Sequence, residues 1–324
     1  MNIYSTNEWD PLKKVVVGVA DYCRIPKMDK SLRVINYADK ENVNEIKTGL
    51  YPNQVVEESN EDLETFVKFL EGEGVEVVRP NRSPSVEYYN YCPRDTVFVY
   101  KEKLLATPMS LRVRSREYHH MLPHIAGIEV SPQYEKDDLY DESCIGDPDK
   151  LALTEVAPCF DAANIIRAND DILYLVSNSG NKAGAAYLQE WLGKAKVHTL
   201  ENVYSYMHID STIAFLKEGL LLANPTRIKS KDVLPYPFCN WDIIWAPDPV
   251  DIGHYPGYCN SSAWINVNLF SVNPNLVVLE EHQEPTRKVL ESYGIECAML
   301  PLRHSRTLGG CFHCCTLDLV REVS

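Results

Sequence analysis

The chain has 324 residues, of which 45% are hydrophobic and 24% charged, enough to bury a large core without disulfides or metals. Its 32 Lys and Arg stand against 46 Asp and Glu, a formal net charge of −14. That balance disfavours nucleic acids and anionic membranes, because phosphate binding needs clustered cations. The longest apolar runs, such as Lys14–Ala20 and Gly219–Ala223, fall far short of the ~20 residues a membrane helix needs.

The opening residues MNIYSTNEWDPLKK carry no apolar or Arg-rich leader, so no targeting is expected there. Lys14–Ala20 predicts a first strand, and residues 20–60 read as a loop or lid. A helix is expected from Asp62, with Leu63, Phe66, Val67 and Leu70 on one face, stopping near Gly74 before a strand at Val75–Pro80. Hairpins follow at Thr96–Ala106 and Asn164–Val176, separated by an acidic loop at Tyr134–Lys150. A helix at Gly184–Ala195 and a strand at Lys196–Glu201 complete that unit. Further hairpins are expected at Thr212–Asn224 and Ile265–Glu280, the latter followed by a helix at Arg287–Gly294 and a strand at Ile295–Leu302. The last strand is read at Cys314–Val320.

The unit is hairpin, helix, strand, repeated with unequal insertions. That is too irregular for a solenoid or for equal propeller blades. It suits an α/β fold of a few unlike modules closed into a ring, the first strand pairing with the last, in one domain covering residues 1–324. Ten cysteines, at 23, 92, 144, 159, 239, 259, 297, 311, 314 and 315, are unevenly spaced. They read as mostly buried thiols in a reducing cytoplasm, not as a disulfide framework. Cys311, His313, Cys314 and Cys315 are not read as a metal cluster, because neighbouring strand residues alternate between faces.

Polar residues recur where each hairpin begins: Arg94-Asp95, Asp161 to Asn164, His208 with Asp210, Asn260 to Ser262, and Gly309 to Cys314. In a ring these strand ends converge, bringing three carboxylates, a histidine and a cysteine together. A thiolate is a strong nucleophile, and a histidine shuttles protons near neutrality. Inward carboxylates match the planar fork of a guanidinium. The set reads as nucleophilic attack on a guanidinium carbon.

At these residues the sequence resembles the amidinotransferases. The resemblance runs from Asn7-Glu-Trp-Asp-Pro-Leu12 through Pro93-Arg-Asp95, Pro158-Cys-Phe-Asp-Ala-Ala163, Met207-His-Ile-Asp210 and Asn224-Pro225 with Arg227, to Phe312-His-Cys314. It implies the pentein fold, a five-module α/β propeller with pseudo-fivefold symmetry. It implies Cys314 as nucleophile, His208 as acid and base, and Asp161 as its orienting carboxylate. Asp95 and Asp210 would clamp the guanidinium, Arg227 and Ser262 would hold the amino-acid end of the donor, and Met207 and Ser205 would shape the acceptor side. The implied reaction is ping-pong transfer of the amidino group from L-arginine to an amine, glycine by default, with release of L-ornithine and no cofactor or metal. The implied partners are small-molecule substrates and a second copy of the chain, although no interface signature stands in the residues. A hydrolase of the same superfamily, an arginine deiminase or dihydrolase, is the alternative.

Overall fold

The computed structural model describes residues 3–204 and 206–322. Five three-stranded sheets share one topology: an antiparallel hairpin, then a third strand parallel to the hairpin's second. Three of these sheets receive the third strand through a helix. Lys182–Leu192 leads to Lys196–Leu200, beside Asp171–Leu175 and Ile165–Ala168. Glu284–Ser292 leads to Glu296–Leu300, beside Leu276–Glu280 and Phe270–Asn273. Asn53–Gly72 leads to Glu76–Val78, which lies parallel to Leu12–Val17. The other two sheets, Val97–Tyr100 with Lys103–Ala106 and Ile128–Val130, and Ile213–Lys217 with Leu220–Ala223 and Asp242–Trp245, cross over through short 3-10 turns and loops.

The ring closes as expected. Leu12–Val17 pairs antiparallel with Thr316–Arg321, so the first and last strands form one hairpin of the repeat. The expected helix spacing also holds. Leu63, Phe66, Val67 and Leu70 are all buried on one face of Asn53–Gly72. The chain leaves that helix through Gly74 at φ +78, a left-handed position glycine takes without a Cβ clash. Phe66 stands edge-on to Phe312, ring centroids 4.8 Å apart, so this helix supports the turn before the last strand.

Three expectations need correction. Residues 20–60 are not all loop: they contain a helix at Lys30–Ile35 and the first turns of Asn53–Gly72. The fourth hairpin starts at Phe270, and Ile265 to Asn268 form a turn. The last strand starts at Thr316, because Cys311 to Cys315 are held in a turn by Cys315 N–H donating to the Cys311 carbonyl at 3.0 Å. The strand-alternation reading of Cys314 and its neighbours therefore falls.

An ion network fills the space between modules. Arg167 grips Glu8 through Nε (2.8 Å) and Nη2 (2.9 Å), and reaches Asp318 Oδ2 at 2.6 Å. Arg94 and Arg321 donate to the same Asp318 at 2.9 and 2.8 Å. All five side chains are buried. Burial works against the Asp318 charge, but the three guanidiniums overcome it and hold the carboxyl well below the usual range. Arg94 Nε also donates to the His313 carbonyl at 2.7 Å, tying this network to the turn above it. All ten cysteines are free, seven of them buried. No helix is long and apolar enough to cross a membrane among the described residues.

Candidate active site

The turns that open the hairpins pack on one another: Pro93–Asp95 on Ala162–Asn164, and that on Ile209–Ser211. Each such turn delivers a side chain. Asp161 Oδ2 lies 3.0 Å from His208 Nε2, and its Oδ1 accepts the Ser110 backbone N–H at 2.9 Å. The carboxylate is thereby fixed on both sides and fully buried. On the other edge of the ring, His208 Nδ1 is 3.7 Å from Asp95 Oδ1. Burial alone would make His208 less basic, but Asp95, Asp161 and Asp210 outweigh it and lift its pKa to about 9. His208 is an imidazolium at neutral pH.

Cys314 Sγ lies 2.9 Å from Asp210 Oδ2. The same oxygen is 3.0 Å from His313 Nδ1. Residues 313 and 314 thus meet one carboxylate, as a turn permits and a strand does not. Burial opposes the Asp210 charge, yet its contacts with His313 and the His208 charge bring its pKa down to about 2. The Cys314 thiol is pushed well above its ordinary value by its contact with Cys92, by burial and by the Asp210 charge. The resting pair is a neutral thiol beside an anionic Asp210.

Asp95 is held from behind. Arg114 Nη1 donates to its Oδ2 at 2.6 Å, and Arg114 Nε donates to Glu117 Oε2 at 2.8 Å. The Arg114 guanidinium lies over the rings of Tyr89 and Tyr88, at 4.7 and 5.5 Å. Asp95 Oδ1 accepts no hydrogen bond from the described residues. It is an acceptor oriented on the His208 side.

A cleft of about 730 Å³, open to solvent, runs past Met207, His208, Asp210, Ser262 and Cys314. Arg227 lies further along. Its Nη1 donates to Ser211 Oγ (2.7 Å) and Thr212 Oγ1 (2.9 Å), its Nη2 to Ser262 Oγ (3.4 Å), and the Tyr204 ring lies 3.5 Å from its guanidinium carbon. Arg227 has no carboxylate within ion-pair distance among the described residues. Ser205 lies outside the described residues. The structure therefore brings together Asp95, Asp161, His208, Asp210 and Cys314, with Met207 and Ser262 lining the cleft and Arg227 bonded to Ser262 and Ser211 beside it.

Sequence reasoning missed Asn268. Its side chain reaches Cys314 Sγ at 3.0 Å, and its turn occupies the place before the fourth hairpin that was assigned to Asn260–Ser262. The signal was the polar pair Asn266 and Asn268 inside an apparently alternating strand. It also gave no role to His313, whose partner Asp210 lies on another module, or to Arg114, which folds back onto Asp95 within its own module.

A curated relative is the inosamine-phosphate amidinotransferase 1 of Streptomyces glaucescens, 38% identical across 98% of this chain and 96% of that protein. The chain belongs to the amidinotransferase family. Other relatives of this amidinotransferase are the L-arginine:L-lysine amidinotransferase of Pseudomonas savastanoi pv. phaseolicola (32% identical, 99% of this chain, 94% of that protein) and the mitochondrial glycine amidinotransferase of Danio rerio (30%, 98% and 82%). Among solved structures, the inosamine-phosphate amidinotransferase of Streptomyces griseus superposes with a TM-score of 0.93 at 37% identity, over 99% of this chain and 97% of that one. The DDAH of Pseudomonas aeruginosa shares the fold alone, at TM-score 0.61 and 15% identity over 95% and 99%. No protein-family model matches the chain. The fold is that of the penteins. The names of these relatives give inosamine phosphate, L-lysine or glycine, so they show amidino transfer and do not single out glycine.

Proposed function

We propose that this amidinotransferase moves the amidino group of L-arginine, through an amidino-Cys314 intermediate, to a primary amine that carries an anionic group. The observation that carries this reading is Cys314 Sγ against Asp210, in the cleft that also presents the Asp161–His208 pair.

The guanidinium lies between Asp95 and Asp210, which complement its charge and its N–H fork. Its arrival beside the thiol favours loss of the thiol proton to water in the open cleft, leaving a thiolate. The Cys314 sulfur attacks the guanidinium carbon. His208, held as an imidazolium, gives its proton to the departing amine, and L-ornithine leaves. The acceptor amine then attacks the amidino carbon, His208 takes its proton, and the sulfur departs as thiolate. Asp161 orients the imidazole throughout. The hydrolase alternative needs water in the acceptor's place. The three relatives named above, at 30–38% identity, are amidinotransferases, and the hydrolase named above shares the fold alone.

Arg227 supports the anionic part of the reading. It is a half-buried cation whose hydrogen-bond partners are neutral, so a ligand carboxylate or phosphate provides its counter-charge. Donor and acceptor use it in turn. An aminocyclitol phosphate is the first acceptor to try, ahead of L-lysine and glycine, because the relatives named for inosamine phosphate have the higher identities. Arg227→Leu is expected to raise the KM for arginine by roughly 100-fold, with a smaller change in kcat. Steady-state kinetics check this, and an unchanged KM removes Arg227 from the substrate.

The pH dependence follows from the resting protonation state. The competent form needs a thiolate and an imidazolium, whereas the free enzyme holds a thiol. kcat/KM for arginine is therefore expected to rise with pH up to about 9, where deprotonation of His208 cancels the gain. A flat profile between pH 6 and 8 would show the thiolate already formed in the free enzyme. The raised His208 pKa also links to folding. It contributes stability that is complete below the unfolded value near ~6.5 and is lost as pH rises through about 9.

A further inference from the structure

Asn268 sits at the end of the turn before the fourth hairpin, 4% exposed. Its Oδ1 accepts two backbone N–H groups, from Cys311 and from Cys314, each at 3.2 Å. These two contacts fix which way the amide faces. An NH₂ group cannot accept a hydrogen bond, so the oxygen must meet the two backbone donors, and Nδ2 must face the sulfur. That nitrogen lies 3.0 Å from Cys314 Sγ. Cys311 and Cys314 stand in C-x-x-C spacing, and one side chain from another module gathers both of their amides.

We propose that Asn268 is a catalytic residue: its amide N–H donates to the Cys314 sulfur and stabilises the thiolate both when it attacks the guanidinium carbon and when it departs from the acceptor adduct. This rests on Cys314 being the nucleophile. The groups facing the sulfur otherwise resist its charge. Asp210 is an anion at 2.9 Å, Cys92 is a neutral thiol whose own pKa is pushed up to about 11 by burial, and Asp95 adds a second negative charge. His208 and His313 act on Asp210 from either side. Against two carboxylates, a fixed N–H donor in a buried site is worth far more than it would be in water. Its orientation comes from backbone contacts that exist before substrate binds, so no reorganisation accompanies the change of charge on sulfur.

Asn268→Asp tests this. A carboxylate has the same shape and still accepts the Cys311 and Cys314 amides, but presents an acceptor and a charge to the sulfur. Two readouts are taken on the folded protein. Iodoacetamide alkylation of Cys314, mapped by peptide mass spectrometry against pH, is expected to shift upward by at least ~1 pH unit. Formation of the amidino adduct from L-arginine in quenched samples is expected to slow by roughly 100-fold or more. Asn268→Ala, which removes the donor without adding charge, is expected to slow the adduct in the same direction. It carries the test where the Asp variant does not fold. An alkylation profile identical to wild type in either folded variant overturns the role of Asn268. No adduct on Cys314 in the wild-type enzyme overturns the nucleophile reading instead, and the alkylation profile separates the two failures.

Discussion

Replacing Cys314 with Ala should abolish amidino transfer, by roughly 10⁴-fold or more in kcat. The substitution removes one sulfur and keeps the Cβ, so the turn it belongs to is unaffected at the backbone. That turn is held by the Cys315-to-Cys311 hydrogen bond, by Asn268 and by Arg94 on the His313 carbonyl. His208 keeps its contacts with Asp161 and Asp95, and Asp210 keeps His313 and loses only the sulfur. Arginine should therefore still bind while chemistry stops. The decisive observation is mass spectrometry of intact protein quenched after mixing with L-arginine and no acceptor. The wild type should gain one amidino group on the peptide holding Cys314, and Cys314→Ala should gain none. Three other cysteines lie close in space or sequence, Cys92, Cys311 and Cys315, all buried. An adduct that persists in Cys314→Ala, or that maps to one of these, would reassign the nucleophile. Discharge of the adduct by one amine and not another would then identify the acceptor.

The ring was legible because its parts are local. Each hairpin announces itself through a period of two and a polar turn, and each long helix through its stripe and its terminal glycine. Closure was legible because two strands lay unpartnered at the chain's ends. The places where the reading slipped share a cause. Ile265-Asn-Val-Asn268 alternates like a strand, yet the asparagine side chains bond elsewhere. Asn266 donates to the Pro247 carbonyl at 3.0 Å, and Asn268 caps the cysteine turn. Such side-chain bonds compete with the ladder and convert strand pattern into turn. Cys314-Cys315-Thr316 likewise reads as strand until the long-range contacts of Phe312 and His313 are known. Carboxylates, histidine and nucleophile could be found as members of a repeat. His313 beside Asp210 and Asn268 on the sulfur could not, because their partners lie on other modules, and Arg114 could not, because the irregular crossover that folds it back onto Asp95 carries no periodic signal.

Asp318→Asn should destabilise the fold by about 3–5 kcal/mol, more than any single change among the residues lining the cleft. The carboxylate is fully buried and receives Arg94, Arg167 and Arg321, together with the Ser5 hydroxyl at 3.0 Å. An asparagine fills the same volume but supplies no charge, and its NH₂ would confront a guanidinium donor. Three buried arginines would then share the Glu8 carboxylate alone. Because these arginines come from different modules, the loss should be global and cooperative. Urea unfolding should show a lower midpoint with an unchanged slope. The sign of the pH effect follows from the depressed Asp318 pKa. Its contribution is present above the unfolded value near ~3.9 and is lost as pH falls below that range, so wild type and variant should converge in acid. Activity should fall as well, since Arg94 links this network to the His313 carbonyl one residue from the nucleophile. A loss below 1 kcal/mol would show that the three guanidiniums find other acceptors, and would remove the network as the element that holds the five modules in register around the sulfur.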